Sequence, residues 1–163
     1  MKPTPIPLHP PQVWSNPIHF LAFGFGAGLA KKAPGTWGTV AAIPVYLLCT
    51  LLPLPAYLGV VVLLAALGIW LCQVTANDMG VHDHPGIVWD EIVGFLITMS
   101  AAPIGWLNIL LGFLLFRLFD IWKPWPIYLL DRHVHDGFGI MIDDIVAGVY
   151  AWGVLQLMLY FWS

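Results

Sequence analysis

Ile92 to Phe116 reads IVGFLITMSAAPIGWLNILLGFLLF, 25 residues without a charge. At face value this run crosses a bilayer once, since roughly 20 apolar residues in a helix suffice. Its middle argues against that: Ala101-Ala102-Pro103-Ile104-Gly105-Trp106-Leu107-Asn108 combines a helix breaker, a permissive glycine and an interfacial pair. Two short helices joined by a turn therefore compete with one long helix. A single span would put Asp90 and Glu91 on the opposite side of the membrane from Asp120, Asp143 and Asp144. A re-entrant hairpin puts them together, and halves of about a dozen residues suit a re-entrant or bundle-buried segment. With the hairpin, all six Lys and Arg residues fall on one face, which the positive-inside tendency assigns to the cytoplasm.

Composition sets the solvent. Of 163 residues, 60% are hydrophobic and 9% charged, against about a quarter charged in soluble domains. The chain is of the membrane class, and its length allows one domain. Nine Trp, nine Phe and five Tyr suit anchorage at the headgroup boundary. Lys2, Lys31, Lys32, Arg117, Lys123 and Arg132 form no run, and the net charge is -3, which excludes a nucleic-acid partner of the usual electrostatic kind. Cys49 and Cys72 lie in apolar stretches without metal-ligand spacing and read as buried free thiols.

Residues 1–18 carry proline at positions 3, 5, 7, 10, 11 and 17, which denies them a continuous apolar helix, so an irregular arm is expected rather than a signal peptide. Residues 19–163 then form the single helical domain. A Gly-rich loop covers Phe23 to Gly35, with a helix starting near Thr36 as N-cap. The runs Val40 to Leu52, bent by Pro44, and Ala56 to Val74 make a hairpin around Pro53-Leu54-Pro55. Gln73 to Asp90 is polar and leaves the membrane. Arg117, Asp120 and Lys123 share a helical face, Pro124 and Pro126 end that helix, Gly137-Phe138-Gly139 reads as a second loop, and Ile145 to Trp162 as the last apolar helix. The fold class expected is all-α, a compact bundle of membrane-embedded and re-entrant helices with one polar active-site face.

All nine acidic residues fall between Asp78 and Asp144. Charges beside apolar segments are costly unless paired or bound to a cation. Asp90 with Glu91, and Asp143 with Asp144, stand at expected helix starts, where capping alone could account for either pair. Two such pairs and the Arg117/Asp120/Lys123 face favour a site instead. Oxygen ligands without thiolates suit Mg²⁺, which takes one or two carboxylates, waters and phosphate oxygens. The first Gly-rich loop, with Lys31, Lys32, Thr36 and Thr39, offers an anion cradle, although close helix packing explains small residues equally well, and the loop lacks a nucleotide-binding signature. His82, His84, His133 and His135 read as interfacial polar residues before ligands or acids. No Ser or Cys sits in a nucleophile constellation, which leaves metal-activated water.

Four ordered segments carry a resemblance: Gly26-Ala27-Gly28 with Ala33 to Gly38, Val88 to Gly94, Phe116 to Ile127, and Gly139 to Gly148. Together they resemble the phosphatidylglycerophosphatase A family over roughly residues 16–155. The resemblance implies an all-helical, Mg²⁺-dependent enzyme of the bacterial cytoplasmic membrane that removes the terminal phosphate of phosphatidylglycerophosphate. The family's acidic motifs fall on Asp90, Glu91, Asp120, Asp143 and Asp144, expected as catalytic and metal-binding residues. Lys32, Gly35, Thr36, Arg117 and Lys123 are expected to hold the phosphate. Thr39 stands where Ser is common and Asp136 where Gly is common, which makes His135 and Asp136 candidate accessories. The alternative of a membrane ion or proton transporter subunit expects acids in the middle of the apolar runs, and the runs as read contain none.

Overall fold

The charge-free run divides where Pro103 and Gly105 require. Helix α5 (Trp89–Thr98) stops, the chain turns through residues 99–105, and α6 (Trp106–Trp122) begins. The computed structural model describes residues 10–81, 84–134 and 136–162, and every regular element among them is helical, in keeping with the all-α expectation. The remaining elements are α1 (Pro10–Ser15), α2 (Pro17–Ala22), a 3₁₀ turn (Ala27–Leu29), α3 (Pro34–Cys49), α4 (Leu54–Met79), α7 (Ile127–His133) and α8 (Gly137–Trp162).

Five hydrogen bonds set the helix directions. Tyr57 of α4 donates its hydroxyl to Leu96 O at the end of α5 (2.6 Å), while the Trp89 indole at the start of α5 donates to Leu64 O (3.0 Å). Helices α4 and α5 are therefore antiparallel. Gly137 N donates to Gln73 Oε1 (2.7 Å), and Trp152 and Gln156 both donate to Ser100 O (3.0 Å each), so α8 runs parallel to α5. The starts of α3, α5 and α8 and the ends of α4 and α6 gather at one pole of the bundle. Helices α4 and α8, 26 residues each, are long and apolar enough to cross a membrane. Helix α5, at ten residues, rises only about 15 Å and cannot cross a core of about 30 Å.

The outer surface fits lipid. Leu48, Leu51, Val62 and Leu63 are among many large apolar side chains exposed there, an arrangement that water would penalise. Exposed rings mark both poles, with Trp37, Trp70, Trp122 and Trp125 near the starts of α3 and α8 and Trp106, Tyr160 and Phe161 at the other end. Such belts are characteristic of membrane proteins. Inside, Phe95, Leu96, Phe116, Met141 and Leu155 are fully buried around α5. Cys49 and Cys72 are buried and form no disulfide, as expected.

Several expected boundaries move. Helix α3 starts at Pro34 rather than near Thr36: Ala33 takes the cap position at φ 48°, and proline suits the first helical position because its missing N–H has no partner there anyway. Helix α4 continues through Gln73 to Met79 and ends at Gly80, whose φ of 64° closes it. The arm expected over residues 1–18 is helical from Pro10, with Asn16 capping α2 through Ile18 N (2.9 Å); its first nine residues lie outside the described part. The expected loop at 137–139 is the first turn of α8, capped by Asp136 Oδ1 on Gly139 N (2.8 Å). Its glycines serve packing, since a Cβ at Gly137 would strike Ile69 O and one at Gly139 would strike Val134 O.

Candidate active site

Two glycines bring the acids together. Gly94 of α5 and Gly148 of α8 face each other so closely that a Cβ on either would strike the backbone of the other helix. This is the small-residue contact by which membrane helices approach backbone to backbone. The helices are parallel, so the residues one turn earlier, Asp90 and Asp144, also meet. Both are buried. Glu91 joins them, and one carboxylate oxygen from each of the three lies within 4.8 Å of the others. The last helix starts at Gly137 rather than at the expected Ile145: Asp143 and Asp144 lie in its second turn, so first-turn capping does not account for them. They lie near the start of this helix, and its remaining stretch, Ile145 to Trp162, carries no acid.

Helix α6 supplies the counter-charges. Arg117 donates through Nη1 to Asp120 and stands 3.8 Å from Glu91 Oε1. Lys123, which ends the helix at φ 46°, reaches Asp143 Oδ2 (2.8 Å) and Asp131 Oδ1 (2.9 Å). Helix α3 contributes a gap: a Cβ at Gly35 would meet Glu91 Oε1 and the Arg117 guanidinium. Between these elements lies a cavity of about 540 Å³, a volume suited to a small ligand.

Burial pushes the Glu91 carboxyl up to about 8, and the Asp144 charge adds to that rise; contact with Asp90 and the Arg117 charge pull the other way. At Lys123 burial opposes the charged form, but Asp143 and Asp131 outweigh it and the ammonium is held more tightly than usual. Oε2 of Glu91 and Oδ2 of Asp144 are buried without a hydrogen-bond partner. Buried bare oxygens of this kind are rare in folded chains and mark a place built for a donor or a cation.

All five expected acids, Asp90, Glu91, Asp120, Asp143 and Asp144, line the one cavity with Gly35, Arg117 and Lys123. Asp90, Glu91 and Asp144 form the tight group, whereas Asp120 and Asp143 each hold a cationic side chain. Lys32 is exposed, and neither it nor Thr36 is among the described lining residues. Thr39 is buried and donates back to Gly35 O (3.0 Å), a bond within its own helix. Asp136 acts as a cap. His84 accepts from Gly86 N (3.0 Å), His133 contacts Leu129 O (2.8 Å), and His82, Asp83 and His135 lie outside the described residues. Asp131, outside the set of acids the sequence singles out, lines the cavity through a tertiary pairing with Lys123 for which the sequence carries no local signal.

A family model described as Phosphatidylglycerophosphatase A matches residues 20–159. A protein of Escherichia coli (strain K12) with that same description is 54% identical over 149 residues, which cover 91% of this chain and 87% of the relative. A Haemophilus influenzae protein so described is 53% identical over 138 residues, covering 83% and 85%. No solved structure matches the chain.

Proposed function

The chain belongs to the phosphatidylglycerophosphatase A family, and from that premise we propose that it hydrolyses the terminal phosphomonoester of phosphatidylglycerophosphate in the bacterial inner membrane, giving phosphatidylglycerol and phosphate. The reaction is Mg²⁺-dependent in this reading, and the cavity faces the cytoplasm. The observation that carries it is the single cavity in which buried carboxylates meet Arg117 and Lys123 at one pole of an apolar bundle. Family membership does not favour the transporter alternative.

The residues present fit the metal. Asp90, Glu91 and Asp144 offer oxygens within 4.8 Å of one another, two of these side chains carry bare buried oxygens, and no described thiolate or imidazole joins the group. This all-oxygen set suits a hard cation. Bound there, Mg²⁺ would neutralise phosphate charge and lower the pKa of a coordinated water.

The chain's own groups do the rest. Arg117, fixed by Asp120, presents a rigid fork of donors to phosphate oxygens. Lys123 supplies a second positive charge, steadied by Asp131 and Asp143. Gly35 leaves room for the phosphoryl group beside Glu91. A cavity carboxylate accepts the proton of the attacking water, and the buried walls at Ile87 and Ile140 limit competing solvent.

The test is phosphate release from phosphatidylglycerophosphate in detergent micelles by purified protein, with Mg²⁺, with excess chelator, and with Asp144→Asn beside wild type. Release that needs both metal and carboxylate is expected. No release by a verified folded sample refutes the reading.

A further inference from the structure

Ile121 belongs to two surfaces at once. It borders the carboxylate cavity, yet it is 71% exposed on the outside of α6. Among the described lining residues it is the large aliphatic side chain that is exposed; Ile87 and Ile140 are buried. Ile121 therefore joins the rim of the cavity to the lipid-facing side of α6. Along the same helix Leu118, Leu114, Leu110 and Leu107 are exposed as well. Counted from Leu107, the five residues recur at intervals of three and four, which keeps them on one helical face. They form an apolar track about 21 Å long that ends at the cavity rim. That length exceeds the roughly 15 Å of one leaflet's hydrocarbon.

A polar cavity joined end to end with an apolar track matches an amphiphile with a charged head and long tails. We propose that this junction is the lateral entry for a membrane-resident phosphomonoester lipid: its phosphorylated headgroup enters the cavity, its glycerol backbone rests at Ile121, and its acyl chains lie along Leu118 to Leu107. This rests on the phosphatase reading and adds the route by which substrate arrives. The substrate reaches the buried carboxylates without leaving the bilayer, and the track guides its chains rather than adding affinity, because leucine gives an acyl chain little that neighbouring lipid does not.

The test uses cysteine placement, which the buried native thiols permit, Cys49 being 7% and Cys72 0% exposed. Leu118→Cys lies on the track, and Leu63→Cys lies on the lipid-facing side of α4. Each is alkylated with a bulky charged maleimide, and phosphate release from diacyl phosphatidylglycerophosphate in mixed micelles is compared with the unmodified variant. A fall in kcat/KM of at least tenfold is expected at position 118, with a change within twofold at 63. In a second measurement, phosphatidylglycerophosphate is expected to slow alkylation at 118 at least threefold relative to phosphatidylcholine, and not at 63. A loss at both positions or at neither, or a loss at 118 without protection by substrate, overturns the entry route. Absence of release by unmodified wild type would instead remove the phosphatase reading, and this route with it.

Discussion

The ammonium of Lys123 stands 2.8 Å from the Asp143 carboxylate and joins the end of α6 to the second turn of α8 in the lining of the cavity. The Asp143 side chain is 10% exposed and that of Lys123 28%. Removing one partner of a buried pair leaves the other charge uncompensated, at a cost of about 3–5 kcal/mol when burial is complete. With the ammonium partly in solvent, Lys123→Met is expected to cost about 2 kcal/mol and at least tenfold in turnover. Denaturation in detergent and phosphate release check both; wild-type values in both would contradict the role.

Gly35→Ala separates folding from activity. The atoms a new Cβ would meet are the ends of the Glu91 and Arg117 side chains, which can shift, so the fold should hold. Those ends are cavity groups, however, and their displacement is expected to lower turnover at least tenfold with an unfolding midpoint close to wild type. Full activity would show that the gap beside Glu91 is not used.

Cation binding is readable without turnover. A ligand that binds only the native state stabilises it by about 2.7 kcal/mol at a hundredfold excess over its Kd. Mg²⁺ is expected to raise the unfolding temperature of the wild type but not of Asp144→Asn. The metal-free variant should be at least as stable as metal-free wild type, because it removes one of several crowded buried charges. An equal rise in both proteins would move the metal away from Asp90, Glu91 and Asp144.

The Glu91 carboxyl gives a pH signature. Its value in the fold, about 8, lies above its ordinary 4.5, so the folded chain holds this proton more tightly than the unfolded one. The associated stability is complete below about pH 4.5 and is lost as pH rises through 8. Metal-free protein is therefore expected to become less stable over that window, while stabilisation by Mg²⁺ grows, since the cation must displace the proton. Unfolding midpoints at pH 5, 6.5 and 8, with and without Mg²⁺, show this; a Mg²⁺ effect independent of pH would argue against Glu91 as a ligand.

Much of the arrangement is legible where local chemistry decides it. Pro103 and Gly105 break the long run whatever surrounds them, and that break alone returns Arg117 and Asp120 to the pole of Asp90. The clustering of acids in an apolar chain is likewise legible, because charge beside lipid needs a reason. Packing hides the rest. Gly137 and Gly139 read as a loop by propensity, but they sit in a helix because neighbouring backbone leaves no space for side chains. Lys32 lies beside a Gly-rich loop, yet the helix begins at Pro34 and leaves it outside the cavity. The pairing of Asp131 with Lys123 depends on how α7 folds back after the end of α6, which local propensity does not encode.

The Gly94–Gly148 contact also bears on biogenesis. Asp90 and Glu91 are synthesised well before Asp143 and Asp144, and only close apposition of α5 with α8 makes the four a cluster. A nascent chain that has placed α3 to α6 in the membrane holds its arginine and half its carboxylates but no completed centre. On the proposed function the centre is complete only when its last helix docks, so a stalled or truncated translation product that lacks α8 is expected to be inert toward the surrounding lipid.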